Sequence, residues 1–340
     1  MKPTRSRAFA AVAAMLGGVA LQVVPPAFSR TERALDRFAL PGPGVASPAV
    51  TRPSLDSVTC RRLEGTTPRA SPHQVREAEH VGGIGEALEK AGATLGSVAI
   101  AVLPEEFAWW LHVKGPVNLL TLSLAVHETS HALENLLRLC GSGSSRYALG
   151  SRIYDIGVRP GELPRVSDLA RRVPPNELAS VSPMRLRKYF HEAAADNDFS
   201  TLIGELVAYV VGAQAELVLL ERARGWPFTP DGLTAFDGNL GGMVDLVIMV
   251  KAYLAELDRQ DPAALARLLA REDSLCLLHA LHVAAAQGVA RAAESRLSER
   301  VPFRFGLERR EALEAAGLVG EAVPAGAGLW PARWRPAAAC

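Results

Sequence analysis

Aromatic residues make up only 6% of this 340-residue chain, and neither sign of charge is in excess: Lys+Arg number 37, Asp+Glu 36, and the net charge is +1. That balance excludes the strongly basic surface on which binding to nucleic acid or an anionic membrane depends, so neither partner is expected. Few aromatics and little strand-type alternation argue against a β-rich core. Lysine is scarce, with 5 among the 37 basic residues, a bias read as composition and solvated helix faces. Cysteine is scarce too. Cys60, Cys140, Cys276 and Cys340 lack the short paired spacing of a structural zinc knuckle, and they could pair in three ways or stay as buried thiols. What the chain has is apolar content, 49%, much of it Ala, Leu and Val. The expected fold is therefore mainly α, helix packed on helix, in one large domain or two modest ones.

The N-terminus reads as an export signal over residues 1–29. Lys2, Arg5 and Arg7 precede an uncharged run from Ala8 to Val24, Pro25 and Pro26 break it, and Ala27-Phe28-Ser29 offers a cleavage site. The alternative is an uncleaved membrane anchor, since a run of about 17 residues is at the lower limit for spanning a bilayer. The expected location is periplasmic or secreted, with no later uninterrupted apolar stretch of spanning length. Residues 30–80, dense in Pro, Ser, Thr, Gly and Arg, read as a linker or arm. Residues 81–300 read as the helical domain, and residues 301–340 as a tail.

Within the domain, Val98 to Leu103 has the short apolar run of a buried strand, and Phe107 to Val113 is a second strand or a helix edge carrying Trp109 and Trp110. Val117 to Cys140 is the strongest helix, apolar almost all round and stopped by Gly141. Residues 141–198, broken by Pro160, Pro164, Pro174, Pro175 and Pro183, are a candidate insertion or lid. A second apolar helix is expected over Ser200 to Arg224, and further helices over Gly242 to Leu257 and Pro262 to Arg296.

The strongest helix contains His127-Glu128-Thr129-Ser130-His131. Residues four apart share a helix face at about 6 Å, so the two imidazoles can point at one ion. Zn2+ accepts such ligands and keeps a position for water, and a carboxylate beside the first histidine, Glu128, can take that water's proton. Chance produces the five-residue pattern about once in a hundred shuffles of this composition. Two histidines and a glutamate inside so apolar a helix would be costly without a partner, which favours a metal.

The segment from Leu124 to Leu133 resembles the active-site helix of the zincin metallopeptidases, over ten residues plus a possible partner helix. The resemblance implies a zincin-like helical domain with a small β element before the active-site helix. The metzincin continuation would place Gly at 134 and His at 137, where this chain has Glu134 and Leu137. A gluzincin-like third ligand from another helix is therefore implied. Glu205, beside Gly204 on the second apolar helix, is the first candidate, Glu216 the second, and His191 or Glu192 the third. The Asp that braces a histidine in many such proteins would lie a turn beyond Glu205, where Ala208 and Tyr209 stand instead; Tyr209 could hydrogen-bond a ligand or stabilise an oxyanion. His279 with His282, and His112, are read as packing or surface residues.

The expected function is an exported zinc-dependent metallohydrolase, a peptidase acting on peptide or protein substrates, with His127, His131 and Glu205 on the metal and Glu128 as general base. Val98 to Leu103 would offer an edge for an extended peptide. The alternative is a non-catalytic helical binding or scaffold protein, with a structural metal or none.

Overall fold

The computed structural model describes residues 95–113, 119–140, 144–192, 198–222 and 238–294 almost continuously, with 88, 93 and short pieces within 313–318 and 328–331. All of them belong to one unit, Ser47–Cys340. The segments read as export signal and arm, and most of the tail, lie outside the described residues. The fold is mainly α, with a single two-stranded antiparallel sheet among the described residues.

Helix α1 is Ser97–Val102, α2 Pro104–Val113 and α3 Leu119–Cys140. On α3, Leu122, Val126, Leu133 and Leu137 recur at helical spacing and are buried, each such side chain contributing roughly 1.5–3 kcal/mol relative to exposure. Thr129 tolerates this interior because its hydroxyl donates to the Ala125 carbonyl at 2.6 Å.

Val98 to Leu103 is not a strand, and no β element precedes α3 among the described residues. The run is helical as α1, where Ala99 packs with Leu133 and Leu137. Phe107 to Val113 is helical as well, within α2, which starts on Pro104, a residue preset for the first helical turn. A short apolar run fits a buried helix as well as a strand, and here the close passage over α3 decides. A Cβ on Gly96 would lie 2.7 Å from Val126 Cγ1. The peptide-binding edge expected at Val98 to Leu103 is accordingly absent.

The sheet follows α3 instead. Strand β1, Arg146–Leu149, pairs with β2, Arg152–Asp155, in the register Leu149↔Arg152, and Gly150 at φ 61° makes the turn. Beyond it, α4 (Val166–Ala170) and α5 (Pro183–Leu186), the latter running on through a wide turn over Arg187–His191, pack toward α7. Buried contacts hold this stretch down: the Tyr253 hydroxyl donates to the Pro164 carbonyl at 2.7 Å, and Arg185 pairs with Asp245 at 2.8 Å.

Helix α6, Phe199–Arg222, is the centre of the fold and packs on α3, on α7 (Asn239–Gln260) and on α9 (Glu272–Glu294); α8, Pro262–Leu269, links the last two. Phe199–Val218 and Glu272–Glu294 are long and apolar enough to cross a membrane, but 78% and 56% of these windows are buried inside the protein, as core helices are. Cys276, buried on α9, is disulfide-bonded.

Candidate metal centre

Antiparallel packing of α3 on α6 sets two polar stripes against each other inside an otherwise apolar interface. His127, His131 and Glu134 lie along α3 at spacings of four and three, and Glu205, Tyr209, Gly212 and Glu216 lie along α6 at four, three and four. Gly204 permits the approach, since a Cβ there would fall on the Glu134 carboxylate.

The stripes meet at Glu205. Its Oε2 lies 3.9 Å from His127 Nε2 and 3.6 Å from His131 Nε2, and one donor atom from each residue lies within 4.8 Å of the others. Two ligand atoms on one tetrahedral zinc are about 3.4 Å apart, so the two separations between the carboxylate and the imidazoles need contract by only a few tenths of an ångström. The far sides of both rings are also engaged: His127 Nδ1 is 3.1 Å from Asn239 Oδ1, and His131 Nδ1 is 3.8 Å from Glu134 Oε2. An amide oxygen only accepts, so with this amide orientation the proton of a neutral His127 is on Nδ1, and its Nε2 lone pair faces the Glu205 carboxylate. A lone pair aimed at a carboxylate is repulsive unless a cation lies between them. The donor set fits zinc.

The electrostatics follow the same logic. Burial, and then the like charge of His131, lower the His127 pKa to about 3, which keeps that ring neutral as a metal ligand must be. Burial also opposes charge on His131, but the facing carboxylates of Glu134 and Glu205 outweigh it and push its pKa up to about 10. Burial raises Glu205, yet His131 first, then His127 and Lys188, bring it down to about 2. With protons as the only cations, His131 carries one and sits as the positive partner of Glu205.

Two tyrosines close one side. The Tyr189 hydroxyl, from the turn after α5, donates to Glu205 Oε2 at 2.8 Å and lies 3.3 Å from the Tyr209 hydroxyl. The Tyr209 ring stands edge-on to His127, centroids 4.6 Å apart, with the Arg185 guanidinium 5.5 Å from its centroid. Burial, then the Glu205 charge, push the Tyr189 pKa up, so it remains a proton donor. Glu128 follows His127, about 100° further round α3, and is half-buried.

Of the residues singled out from sequence, His127, His131, Glu205 and Tyr209 come together here. Glu216 does not: it is buried beneath the start of α7, where its Oε2 accepts from the Leu240 backbone N–H at 3.1 Å and caps that helix. Glu192 is exposed and ion-paired with Arg187 at 3.0 Å, and His191 is exposed at the end of the same turn. His282 is buried on α9, His279 stacks near Trp330, and His112 lies on α2 with its side chain outside the described residues. Sequence reasoning missed Asn239, Glu134 and Tyr189. Glu134 carried a signal, its place three residues after His131; Asn239, opening a helix 112 residues from His127, and Tyr189 carried none.

Comparison of the chain with protein-family profiles, with curated proteins and with solved structures finds no match.

Proposed function

We propose that this protein is an exported zinc metallohydrolase of zincin-like type that cleaves peptides. The observation that carries the reading is the convergence of two imidazole Nε2 atoms on one carboxylate oxygen, at 3.9 and 3.6 Å, with the opposite ring nitrogens already turned to Asn239 and Glu134. Ring orientation fixed from behind is how metal-binding histidines are held, and it leaves both Nε2 atoms for the ion. Zinc bound by His127, His131 and Glu205 would supply Lewis acidity toward a carbonyl and lower the pKa of water.

The chain's own residues do the rest. Asn239 holds His127 in the Nδ1–H tautomer, and Glu134 draws His131 toward α6. The Glu128 carboxylate accepts a proton from the attacking water and returns it to the leaving amine. The Tyr189 hydroxyl donates to Glu205 and so steadies that ligand, while the Tyr209 hydroxyl, 3.3 Å from it, donates toward negative charge that develops on the substrate oxygen. The basic, then apolar N-terminus supports export.

A purely structural metal is the competing reading. Structural zinc is closed off by four protein ligands, whereas among the described residues three converge and the His131 and Glu205 side chains remain 25% and 18% exposed. The open arrangement favours catalysis. The test is metal content and peptide hydrolysis measured together. One zinc per chain is expected, lost in His127→Ala, and Glu128→Gln should keep its zinc while hydrolysis falls by about 100-fold to 10,000-fold. Protein that binds no zinc, or a Glu128→Gln variant as active as the parent, overturns the proposal.

A further inference from the structure

On the basis of the metal-centre reading, we propose that Lys188 and Tyr189 form an anion-recognition arm beside His127, His131 and Glu205, and that the preferred substrate is a peptide carrying a carboxylate close to the cleaved bond. The Lys188 ammonium donates to the Tyr189 hydroxyl at 3.0 Å, and that hydroxyl donates to Glu205 Oε2 at 2.8 Å. The ammonium also lies 4.7 Å from the Tyr189 ring centroid. One tyrosine oxygen thus separates a cation from the carboxylate on which both histidines converge.

The cation has capacity to spare. Lys188 is exposed, and among the described residues it forms no ion pair with a carboxylate, whereas its neighbour Arg187 is neutralised by Glu192. An ammonium has three donors, and one is spent on Tyr189. Its placement is built in rather than incidental. Tyr189 and Phe190 are buried on one side of it, and three residues earlier Arg185 is locked to Asp245, with side chains 2% and 0% exposed.

The charges then specify the ligand. A divalent ion held by the three ligands sets a second positive charge against this ammonium. A neutral substrate leaves the two repelling each other; one that places a carboxylate near both relieves the repulsion and meets the free donors. A carboxylate can come from the C-terminus of a short peptide or from an acidic side chain, and the arm would read either.

Three probes that bind zinc through a hydroxamate separate these cases, titrated calorimetrically into the zinc-loaded full chain: malonohydroxamoyl-glycine with its free carboxylate, malonohydroxamoyl-glycinamide, and malonohydroxamoyl-aspartamide. A carboxylate bound by an exposed ammonium should improve affinity about twofold to fivefold over the glycinamide. Lys188→Ala should erase that advantage, and Lys188→Glu should reverse it, each read as the ratio of affinities between the carboxylate probes and the glycinamide. A preference for the first probe assigns the carboxylate to a peptide C-terminus, and a preference for the third to a side chain. Equal affinity of all three for the parent protein, or an advantage that survives Lys188→Ala, overturns the arm while leaving the metal centre standing. If no hydroxamate binds, the metal-centre reading falls and the arm with it.

Discussion

Replacing Asn239 by leucine removes the acceptor that faces the His127 Nδ1–H at 3.1 Å, at a site where His127 is 6% exposed and water cannot readily take over. A buried N–H deprived of its partner costs about 1–3 kcal/mol, and removing such a supporting group lowers metal affinity about 10–100-fold, the same energy by a second route. The zinc dissociation constant should therefore rise about 30-fold. The fold should suffer less. Asn239 stands in the first turn of α7, but that turn is capped by Glu216, so a loss of about 1 kcal/mol and a fall of roughly 2–4 °C in Tm are expected. Competition with a chromophoric chelator near neutral pH reads the affinity, and long-range 15N NMR of the imidazole reads the tautomer. Asn239→Asp keeps an acceptor in place and should hold zinc more tightly than the leucine variant. A leucine variant that binds zinc within about threefold of the parent would refute the claim that Asn239 orients this ligand.

Burial pushes the Glu216 carboxyl up to about 7 from 4.5, so the fold favours the neutral form. Its contribution is full below pH 4.5, declines between 4.5 and about 7 and is lost above, a difference of about 3 kcal/mol. Urea unfolding across that window should show this slope in the parent and not in Glu216→Gln; superimposable profiles would remove Glu216 as its source. Arg185→Met strands the buried Asp245 carboxylate and should destabilise by about 3–5 kcal/mol, most of it recovered in Arg185→Met/Asp245→Leu. A single-variant loss under about 1 kcal/mol by the same assay contradicts the buried pair. Gly242→Ala drives a methyl into the Tyr209 ring and should cost about 1–3 kcal/mol in thermal unfolding, relieved when Tyr209 is also made leucine. A neutral Gly242→Ala means the α6–α7 crossing is looser than described.

Much of the helical framework was legible because its signal is local. The helices expected over Val117 to Cys140 and Ser200 to Arg224 are observed as Leu119–Cys140 and Phe199–Arg222, and the last expected helix divides into Pro262–Leu269 and Glu272–Glu294. Where the apolar run was short, as at Val98 to Leu103, periodicity could not tell strand from helix, and contact with α3 chose the helix. The hairpin at Arg146–Asp155 lay in a stretch read only as irregular, although Tyr147 and Leu149 alternate inward and Gly150 permits the turn.

The sequence by itself determined that His127, Glu128 and His131 share one turn of a buried helix, because helical geometry follows from spacing alone. It also narrowed the third partner to Glu205, Glu216, and His191 or Glu192. Only the tertiary structure chose among them: Glu205 and Glu216 lie on the same stripe of α6, three turns apart, and the crossing with α3 sets the first against the histidines while the start of α7 claims the second. The same packing placed Asn239 behind His127 and Tyr189 and Lys188 beside Glu205. Such contacts join residues that no local period relates, and they exist only once the helices have docked.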